Sequence, residues 1–332
     1  MARVLITGAS GFIGGHLVAQ AIERGDEVTA AIRKGSNTSR LTNTRVSILE
    51  LPMHDQGAMS QILEKAGHFN MIIHNAGVTK AVKKTEYYEV NEGNTRRLIA
   101  ALQVSNRVPD RFLFVSSLAA LGAAEPDLER IFSGQSPKPL TTYGDSKLHA
   151  EKYIEGLGKS FPWIIVRPTA VYGPWEQDIL IFIRMIRRGL EITIGTSGQR
   201  LSFIHAHDVA RAIFHLLDHP DTLHHKFILS DGCDYYAADL GKAVRAAIGR
   251  KNVLKIRLSA ALLQPVAVMS EMMGKWQKKA VPLNREKLAE LSAENWHCDA
   301  GLLLNEAGFK PVFNLYNGMK NSVDWYVQEK WL

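Results

Sequence analysis

The sequence predicts an α/β protein with a doubly wound parallel sheet and a smaller C-terminal domain. Two observations carry this prediction. Short apolar runs alternate with amphipathic helical patterns through the first half of the chain, which is typical of strand–helix–strand units. Beyond about Pro168, glycine and proline turns break that alternation. Because crossovers between parallel strands are right-handed, the repeated units are expected to place helices on both faces of the sheet.

Each element follows from its own pattern. The predicted strands cover 3–7, 27–32, 46–49, 71–74, 112–116 and 163–167. The predicted helices between them cover 13–24, 56–65, 91–104 and 143–157, and later helices cover 176–190, 207–218 (capped by Asp208) and 237–248. We therefore expect a cofactor-binding domain over 1–167, a segment near 200–218 that returns to it, and a mainly substrate-binding domain over 168–332.

Composition excludes several classes of protein. Of 332 residues, 46% are hydrophobic and 22% are charged, as in ordinary globular proteins. Two cysteines, Cys233 and Cys298, indicate neither a disulfide framework nor a zinc site. The net charge of +7 is dispersed, without a nucleic-acid-binding signature. Because the chain runs directly into a strand and has no uninterrupted spanning run, we expect a cytoplasmic protein without a transmembrane segment.

A glycine-rich loop follows the first strand. Gly8, Gly11 and Gly14 have the spacing G-x-x-G-x-x-G, and a helix is expected to begin near Phe12. Glycine permits a tight turn and close approach of a pyrophosphate, and a helix N-terminus attracts anions. A strand before the loop and a helix after it are the context of a Rossmann dinucleotide site. The cofactor candidates in this loop are Gly8, Ser10, Gly11, Phe12, Ile13 and Gly14.

The end of the second strand bears on the choice of cofactor. In NAD-binding folds an acidic residue there binds the ribose 2′-hydroxyl. Here Arg33 and Lys34 follow the strand, with Ser36 nearby, while Asp26 and Glu27 come too early. A guanidinium suits a 2′-phosphate. The sequence therefore favours NADP(H), while NAD(H) stays possible.

Three residues form a candidate catalytic set. Tyr143 and Lys147 are four residues apart on a predicted helix and so share a face. A cation there is expected to lower the tyrosine pKa, so that the phenol exchanges a proton with a substrate oxygen while hydride moves at carbon. Ser117 follows the fifth strand, and its hydroxyl is expected to stabilise charge on that oxygen.

With these motifs in order, the chain resembles the extended short-chain dehydrogenase/reductase superfamily along nearly its whole length. The matching segments are 7–14, 74–77, 90–95, 116–117, 143–147, 167–174 and 203–210. The resemblance implies that Ser117 and Tyr143 face the reacting carbon and that Lys147 supports the tyrosine and the cofactor. It also implies cofactor contacts from Asn75, Ala76, Gly77, Pro168 and Thr169, and a homodimer formed through helices 91–104 and 143–157.

The chain departs from the superfamily pattern after the third strand. Many members carry a Gly-Asp-Leu there, whose Asp meets the adenine, whereas this chain has Leu51-Pro52-Met53. Asp55 is instead expected to cap a helix.

Residue choices at the substrate side favour net redox chemistry. Dehydratases of the superfamily have Thr, Asp and Glu where this chain has Ser117, Leu118 and Ala119, so their acid and base are missing. Nucleotide-sugar epimerases often have Asn where this chain has Ala170, although Arg200 matches an arginine that they use. The form Arg-Pro-x-x-Val-Tyr-Gly-Pro resembles the 3β-hydroxysteroid dehydrogenase and dihydroflavonol reductase branches. The substrate-contact candidates are Ala119, Tyr172 and Arg200.

The expected reaction interconverts a carbonyl and an alcohol on a bulky, lipid-like substrate. A nucleotide-sugar epimerase and a non-catalytic cofactor sensor remain alternatives. The apolar segment 258–276 has three open interpretations: a pocket lining, a core-facing helix, or a membrane-surface contact with Lys275, Lys278 and Lys279 near headgroups. His205, His207 and Asp208 lack a further ligand set, so no metal site is expected, and no G-x-S-x-G hydrolase elbow occurs.

Overall fold

A computed structural model describes residues 1–42, 44–125, 128–277, 279–281 and 283–332. The strands are β1 Arg3–Thr7, β2 Glu27–Ile32, β3 Val46–Glu50, β4 Met71–His74, β5 Arg111–Val115, β6 Trp163–Pro168, β7 Ala170–Tyr172, β8 Leu190–Ile194, β9 Arg200–Leu201, β10 Phe203–His205, β11 Lys226–Leu229, β12 Tyr235–Tyr236 and β13 Leu254–Leu258. The helices are α1 Phe12–Glu23, α2 Gln56–Ala66, α3 Lys84–Tyr87, α4 Asn94–Val104, α5 Thr142–Gly156, α6 Asp178–Arg187, α7 Ala206–Asp218, α8 Ala237–Ile248, α9 Ala260–Gln277, α10 Arg285–Ser292 and α11 Leu315–Gln328.

The main sheet has seven parallel strands in the order β11-β6-β5-β4-β1-β2-β3. Side chains alternate across it: Val4 and Ile6 pack with α1 and α7 on one face, and Leu5 packs with α2, α4 and α5 on the other. This alternation follows from the two-residue period of a strand, and both faces are covered because parallel strands are apolar on both sides. The predicted doubly wound fold is confirmed.

Most predicted elements agree with the structure to within about one residue, and two helices differ more. The helix predicted over 176–190 is shorter and covers Asp178–Arg187. The helix predicted over 91–104 begins earlier, because α3 continues through a π-helical turn, Tyr88–Gly93, into α4. This turn buries Asn91 completely. A π-turn inserts one extra residue and often marks a functional position.

A third hydrophobic core lies beyond the main sheet, where α6, α8 and α11 pack together. The chain also returns to the sheet: α7 packs against α1, and β11 extends the sheet beside β6. The division at residue 167 stays a prediction. Among the described residues, none of the helices is both long and apolar enough to span a bilayer.

Candidate active site

The glycine loop connects β1 to α1 at the carboxyl edge of the sheet. Gly8 has a φ of +67°, and a Cβ there would lie 2.9 Å from the backbone of Ala76. A Cβ at Gly14 would overlap the Gly8 carbonyl oxygen. Glycine at these two positions therefore lets α1 begin, as predicted, at Phe12, directly above the strand end.

A cleft of about 870 Å³ opens beside this loop. The predicted cofactor residues that line it are Gly8, Ser10, Gly11, Phe12, Ile13, Arg33, Asn75, Ala76 and Gly77. Gly14, Lys34, Tyr143, Lys147, Pro168 and Thr169 lie outside this lining. A helix N-terminus, a tight glycine turn and a cleft of this size suit a dinucleotide.

One part of the cleft is cationic. Arg33 follows β2 directly and is exposed. Arg40, in the same loop, also lines the cleft, with its guanidinium carbon 5.2 Å from the centre of the Trp175 ring. No Asp or Glu occurs between Ala31 and Arg40. Sequence reasoning missed Arg40, although a second arginine in the loop after β2 was a visible signal.

Apolar side chains line the cleft where other superfamily members carry an aspartate. Leu51 and Met53 are buried against it. Asp55 is directed elsewhere: it caps α2 by accepting a hydrogen bond from the Ala58 N–H at 3.0 Å. The predicted helix cap is confirmed.

Ser117 and Tyr143 come together beyond the carboxyl end of β5. The Tyr143 phenol lies beside Ser117, whose side chain acts to lower the pKa of the tyrosine. Ser117 also accepts a hydrogen bond from the Ala119 N–H at 3.2 Å. Tyr143 lies in the first turn of α5, whose cap Thr141 accepts from the Gly144 N–H at 3.0 Å. The two side chains therefore lie next to each other at the edge of the sheet.

Lys147 lies one turn along α5 and points towards the cleft wall. Its Nζ donates to the Val115 carbonyl oxygen at 2.9 Å and lies 4.8 Å from the centre of the Phe114 ring. A Cβ at Gly77 would lie 3.1 Å from the same Nζ. Because Gly77 lines the cleft, the ammonium stands directly behind that wall.

The pKa values of Tyr143 and Lys147 differ from those that the sequence predicts. Burial raises the pKa of Tyr143 to about 12, with Glu290 adding to the effect and the Ser117 side chain opposing it. Burial lowers the pKa of Lys147 to about 8, although Glu151 opposes this shift. The prediction that the lysine lowers the tyrosine pKa is wrong for this structure, because burial of the phenol dominates and raises that pKa.

A directed hydrogen-bond chain supports the turn after β4. The buried His74 accepts from Thr7 Oγ1 at 2.8 Å and donates through Nε2 to Thr95 Oγ1 at 2.9 Å. Thr7 Oγ1 accepts from the Ala76 N–H at 3.1 Å, and Thr95 Oγ1 donates to the Asn91 carbonyl oxygen at 2.7 Å. Burial lowers the pKa of His74 to about 3, so the imidazole is neutral.

Asn91 connects that chain to helix α5, which carries Tyr143 and Lys147. Its Oδ1 accepts from the Val78 N–H at 2.8 Å, and its Nδ2 donates to Ser146 Oγ at 2.9 Å. Ser146 in turn donates to the Tyr143 carbonyl oxygen at 2.7 Å. The π-turn thus places one amide between the cleft wall and α5.

A buried ion pair fixes the strand ends behind the site. Arg167 and Glu151 are 1% and 0% exposed, and Arg167 Nη2 lies 2.6 Å from Glu151 Oε2. Ser116 donates to the same carboxylate, and Arg167 Nη1 donates to the Ser133 carbonyl oxygen at 2.9 Å. The pair therefore joins β5, α5 and β6 beside Ser117.

The candidates at the end of β6, Pro168 and Thr169, do not line the cleft. Pro168 ends β6, and the Thr169 N–H donates to the Leu229 carbonyl oxygen at 3.1 Å. The Thr169 hydroxyl is buried without a hydrogen-bond partner among the described residues.

The predicted substrate residues do not converge. Tyr172 is 1% exposed in the third core, and its hydroxyl donates to the Asn314 carbonyl oxygen at 2.9 Å. The expectation that Tyr172 contacts substrate is therefore corrected to a packing role. Ala119 is buried in a short 3₁₀ turn after Ser117, and Arg200 is exposed on β9.

The interpretation of Asp208 as a helix cap is also wrong. His205 is the N-cap of α7 and accepts from the His207 N–H at 3.3 Å. Asp208 lies in the first turn and accepts from the Val312 and Phe313 N–H groups at 3.0 and 2.8 Å. Its carboxylate holds a distant segment, which no local pattern could reveal.

Helix α10 also contacts helix α5, which the sequence did not predict. Glu286 accepts from the Thr142 N–H and from the Thr142 hydroxyl, both at 2.8 Å, next to Tyr143. It also pairs with Lys84 at the start of α3. Helix α9 packs against α10.

Fold and site together define an extended short-chain dehydrogenase/reductase. The model of the NAD dependent epimerase/dehydratase family matches residues 4–229, and the chain belongs to that family. Enzymes of this family are NAD(P)-dependent oxidoreductases and epimerases.

Curated relatives span both kinds of chemistry. A UDP-glucose 4-epimerase of Vibrio cholerae is 27% identical over 258 residues, which are 74% of this chain and 76% of the relative. A ceramide reductase of Caulobacter vibrioides is 25% identical over 331 residues, 99% of this chain and 96% of the relative. The solved structure of a Thermotoga maritima UDP-glucose 4-epimerase with UDP-glucose aligns with a TM-score of 0.77 at 19% identity, over 98% of this chain and 99% of that one. That structure supports the fold alone.

Proposed function

We propose that this protein is an NADP(H)-dependent oxidoreductase that interconverts a carbonyl and an alcohol on a bulky, lipid-like substrate. The observation that carries the proposal is that Ser117 and Tyr143 lie side by side beyond β5, with Lys147 between α5 and the cleft wall. A phenol and a hydroxyl at one point suit a carbonyl oxygen, which accepts both bonds.

Each residue has a distinct role in the proposed reaction. A bound nicotinamide would supply or take the hydride. Tyr143 donates its proton to the substrate oxygen during reduction, and its raised pKa keeps it protonated at neutral pH. Ser117 donates a hydrogen bond to the same oxygen. Lys147 supports the ribose side of the site through the wall at Gly77.

The preference for NADP(H) rests on the cationic part of the cleft. Arg33 and Arg40 both line it, and the loop between them has no carboxylate. A 2′-phosphate gains charge-assisted hydrogen bonds from such a pair, whereas a bare ribose gains none of comparable strength.

Two observations support a lipid-like substrate: the residue at position 170 and the similarity to a ceramide reductase. Ala170 replaces the asparagine that nucleotide-sugar epimerases often carry. The ceramide reductase relative matches almost the whole chain, including the part beyond the sheet.

A nucleotide-sugar epimerase is the second candidate, because Arg200 is exposed on β9 and a UDP-glucose 4-epimerase is among the relatives. A non-catalytic cofactor sensor is the third, and the complete catalytic set weighs against it. Homodimer formation through helices 91–104 and 143–157, a cytoplasmic location and the domain division at residue 167 remain parts of the proposal.

The test is NADPH consumption against a panel of long-chain and cyclic ketones. We expect turnover by the wild type and about a thousandfold loss of kcat in Tyr143→Phe, with NADPH binding retained. Epimerisation of a nucleotide sugar without net cofactor change would establish the second candidate instead. Cofactor binding without any turnover, together with full biological activity of Tyr143→Phe, would establish the sensor.

A further inference from the structure

Helix α9 carries a line of large apolar side chains that are exposed to solvent and not packed into a core. Leu262, Val266, Met269, Met273 and Trp276 recur at intervals of three and four residues, so they form one line along the helix. They are 69%, 45%, 61%, 54% and 84% exposed. We call these five residues the α9 stripe.

The polarity of this helix is inverted. Its buried positions are the small Ala267 and Gly274, and its one acidic residue, Glu271, is half-buried and pairs with Arg285 at 3.1 Å. No charged residue occurs from Ala260 to Ser270. A surface helix of a globular protein normally turns its large apolar side chains inward and its charges outward. A continuous exposed apolar patch of this kind marks an interaction surface.

Cations flank the stripe at both ends. Lys255 and Arg257 are exposed on β13, which leads directly into α9, and both line a cavity of about 290 Å³. Lys279 is exposed just beyond the other end. Lys278 and the side chain of Lys275 lie outside the described part of the structure. An apolar face with basic residues beside it is complementary to a bilayer that carries anionic headgroups.

The same charges disfavour a second copy of the chain as the partner. In a two-fold symmetric dimer with antiparallel α9 helices, Lys255 and Arg257 of one copy would face Lys279 of the other. Like charges across a desolvated contact oppose association.

The stripe also lies close to the catalytic helix. Helix α9 packs on α10, and Glu286 of α10 holds the Thr142 backbone next to Tyr143. A surface that contacts the α9 stripe is therefore one helix away from the helix that holds the catalytic tyrosine.

We propose that the α9 stripe docks this protein onto an anionic lipid bilayer, with Lys255, Arg257 and Lys279 at the headgroups. The docking is peripheral: the stripe enters the interface and the rest of the chain stays outside it. Docking needs no turnover, so it is tested separately from the proposed reaction.

The experiment is co-sedimentation of the full chain with vesicles of phosphatidylcholine alone or mixed with phosphatidylglycerol. We expect binding to the mixed vesicles that weakens at high salt. The double variant Met269→Glu with Met273→Glu should bind on the order of tenfold more weakly, and so should Lys255→Glu with Arg257→Glu. Ile181→Glu, at a 52% exposed apolar position on α6, is the matched control and should bind like the wild type.

Two results would overturn the proposal. One is a wild type that does not sediment with mixed vesicles. The other is a stripe variant that binds as well as the wild type while its thermal unfolding shows a native fold. If the wild type fails to bind and its oligomer dissociates in the stripe variant, as light scattering would show, a second copy covers the stripe and the proposal is wrong.

Discussion

The main sheet and helix α9 differ in which side chains they bury and which they expose. In the sheet, apolar residues are buried on both faces, and even charged groups such as Glu151 and Arg167 are enclosed. In α9, the large apolar residues face outward. The comparison matches the two proposals: the enclosed region would fix the positions of the reacting groups, and the exposed stripe would bind a membrane surface.

Burial has different costs in the two regions. A buried charge is tolerated only when it is paired, so the sheet depends on matched partners. Exposed apolar area costs little folding stability, but it attracts other apolar surfaces. Substitutions in the sheet should therefore change stability and catalysis, whereas substitutions in α9 should change binding.

The largest effect is expected at the buried ion pair. Glu151→Gln leaves the Arg167 charge buried without a counter-charge and should lower the free energy of unfolding by about 3–5 kcal/mol. The measurement is urea denaturation. Glu155→Gln, on the same helix, removes the partly exposed pair with Lys226 and should cost no more than about 1 kcal/mol. If both variants lost the same free energy of unfolding, the expected difference between a buried and a partly exposed ion pair would be contradicted.

The next effect is a pH dependence that belongs to Lys147. Burial lowers its pKa to about 8, so its ammonium loses its proton as pH rises through that value, while Tyr143 stays protonated. We expect kcat/KM for carbonyl reduction to fall above about pH 8, by about tenfold per pH unit. Lys147→Arg keeps its charge and should move this fall to higher pH. An unchanged profile in the arginine variant would assign the fall to another group.

A smaller effect is expected at the cationic part of the cleft. Arg33→Ala should raise the KM for NADPH by about tenfold and leave the KM for NADH nearly unchanged, because only NADPH carries the 2′-phosphate. Steady-state kinetics with both cofactors measure this. Lys34→Ala, just outside the cleft lining, is the comparison variant and should change less. A parallel rise in both KM values would remove Arg33 from cofactor selection.

The smallest effect is expected in α9. Met269→Ala should change the free energy of unfolding by no more than about 0.5 kcal/mol, because the side chain is 61% exposed. Met59→Ala removes a fully buried methionine from α2 and should cost about 2–5 kcal/mol. If Met269→Ala cost as much as Met59→Ala, the α9 stripe would be part of a core.

Local patterns sufficed for most of the sheet and for the glycine loop. Strand period, turn residues and the spacing of Gly8, Gly11 and Gly14 are short-range signals, and they placed the β1–α1 junction correctly. Asp55 was likewise predictable, because a helix cap depends on neighbours within one turn.

Long-range contacts account for the corrections. Asp208 was read as a local cap, but it binds backbone groups about a hundred residues away. Tyr172 was read as a substrate contact, yet its hydroxyl meets a segment near the C-terminus. The pKa of Tyr143 depends mainly on burial of the phenol, which the spacing of Tyr143 and Lys147 on α5 does not determine.

The most direct test of the central claim is the fate of the hydride. Wild-type protein is incubated with NADPH deuterated at the transferred position and with a long-chain ketone, and the products are analysed by mass spectrometry. The account predicts one deuterium on the new carbinol carbon for each NADP⁺ formed, and none with Tyr143→Phe. Deuterium that never leaves the cofactor, while a nucleotide sugar is epimerised under the same conditions, would contradict it.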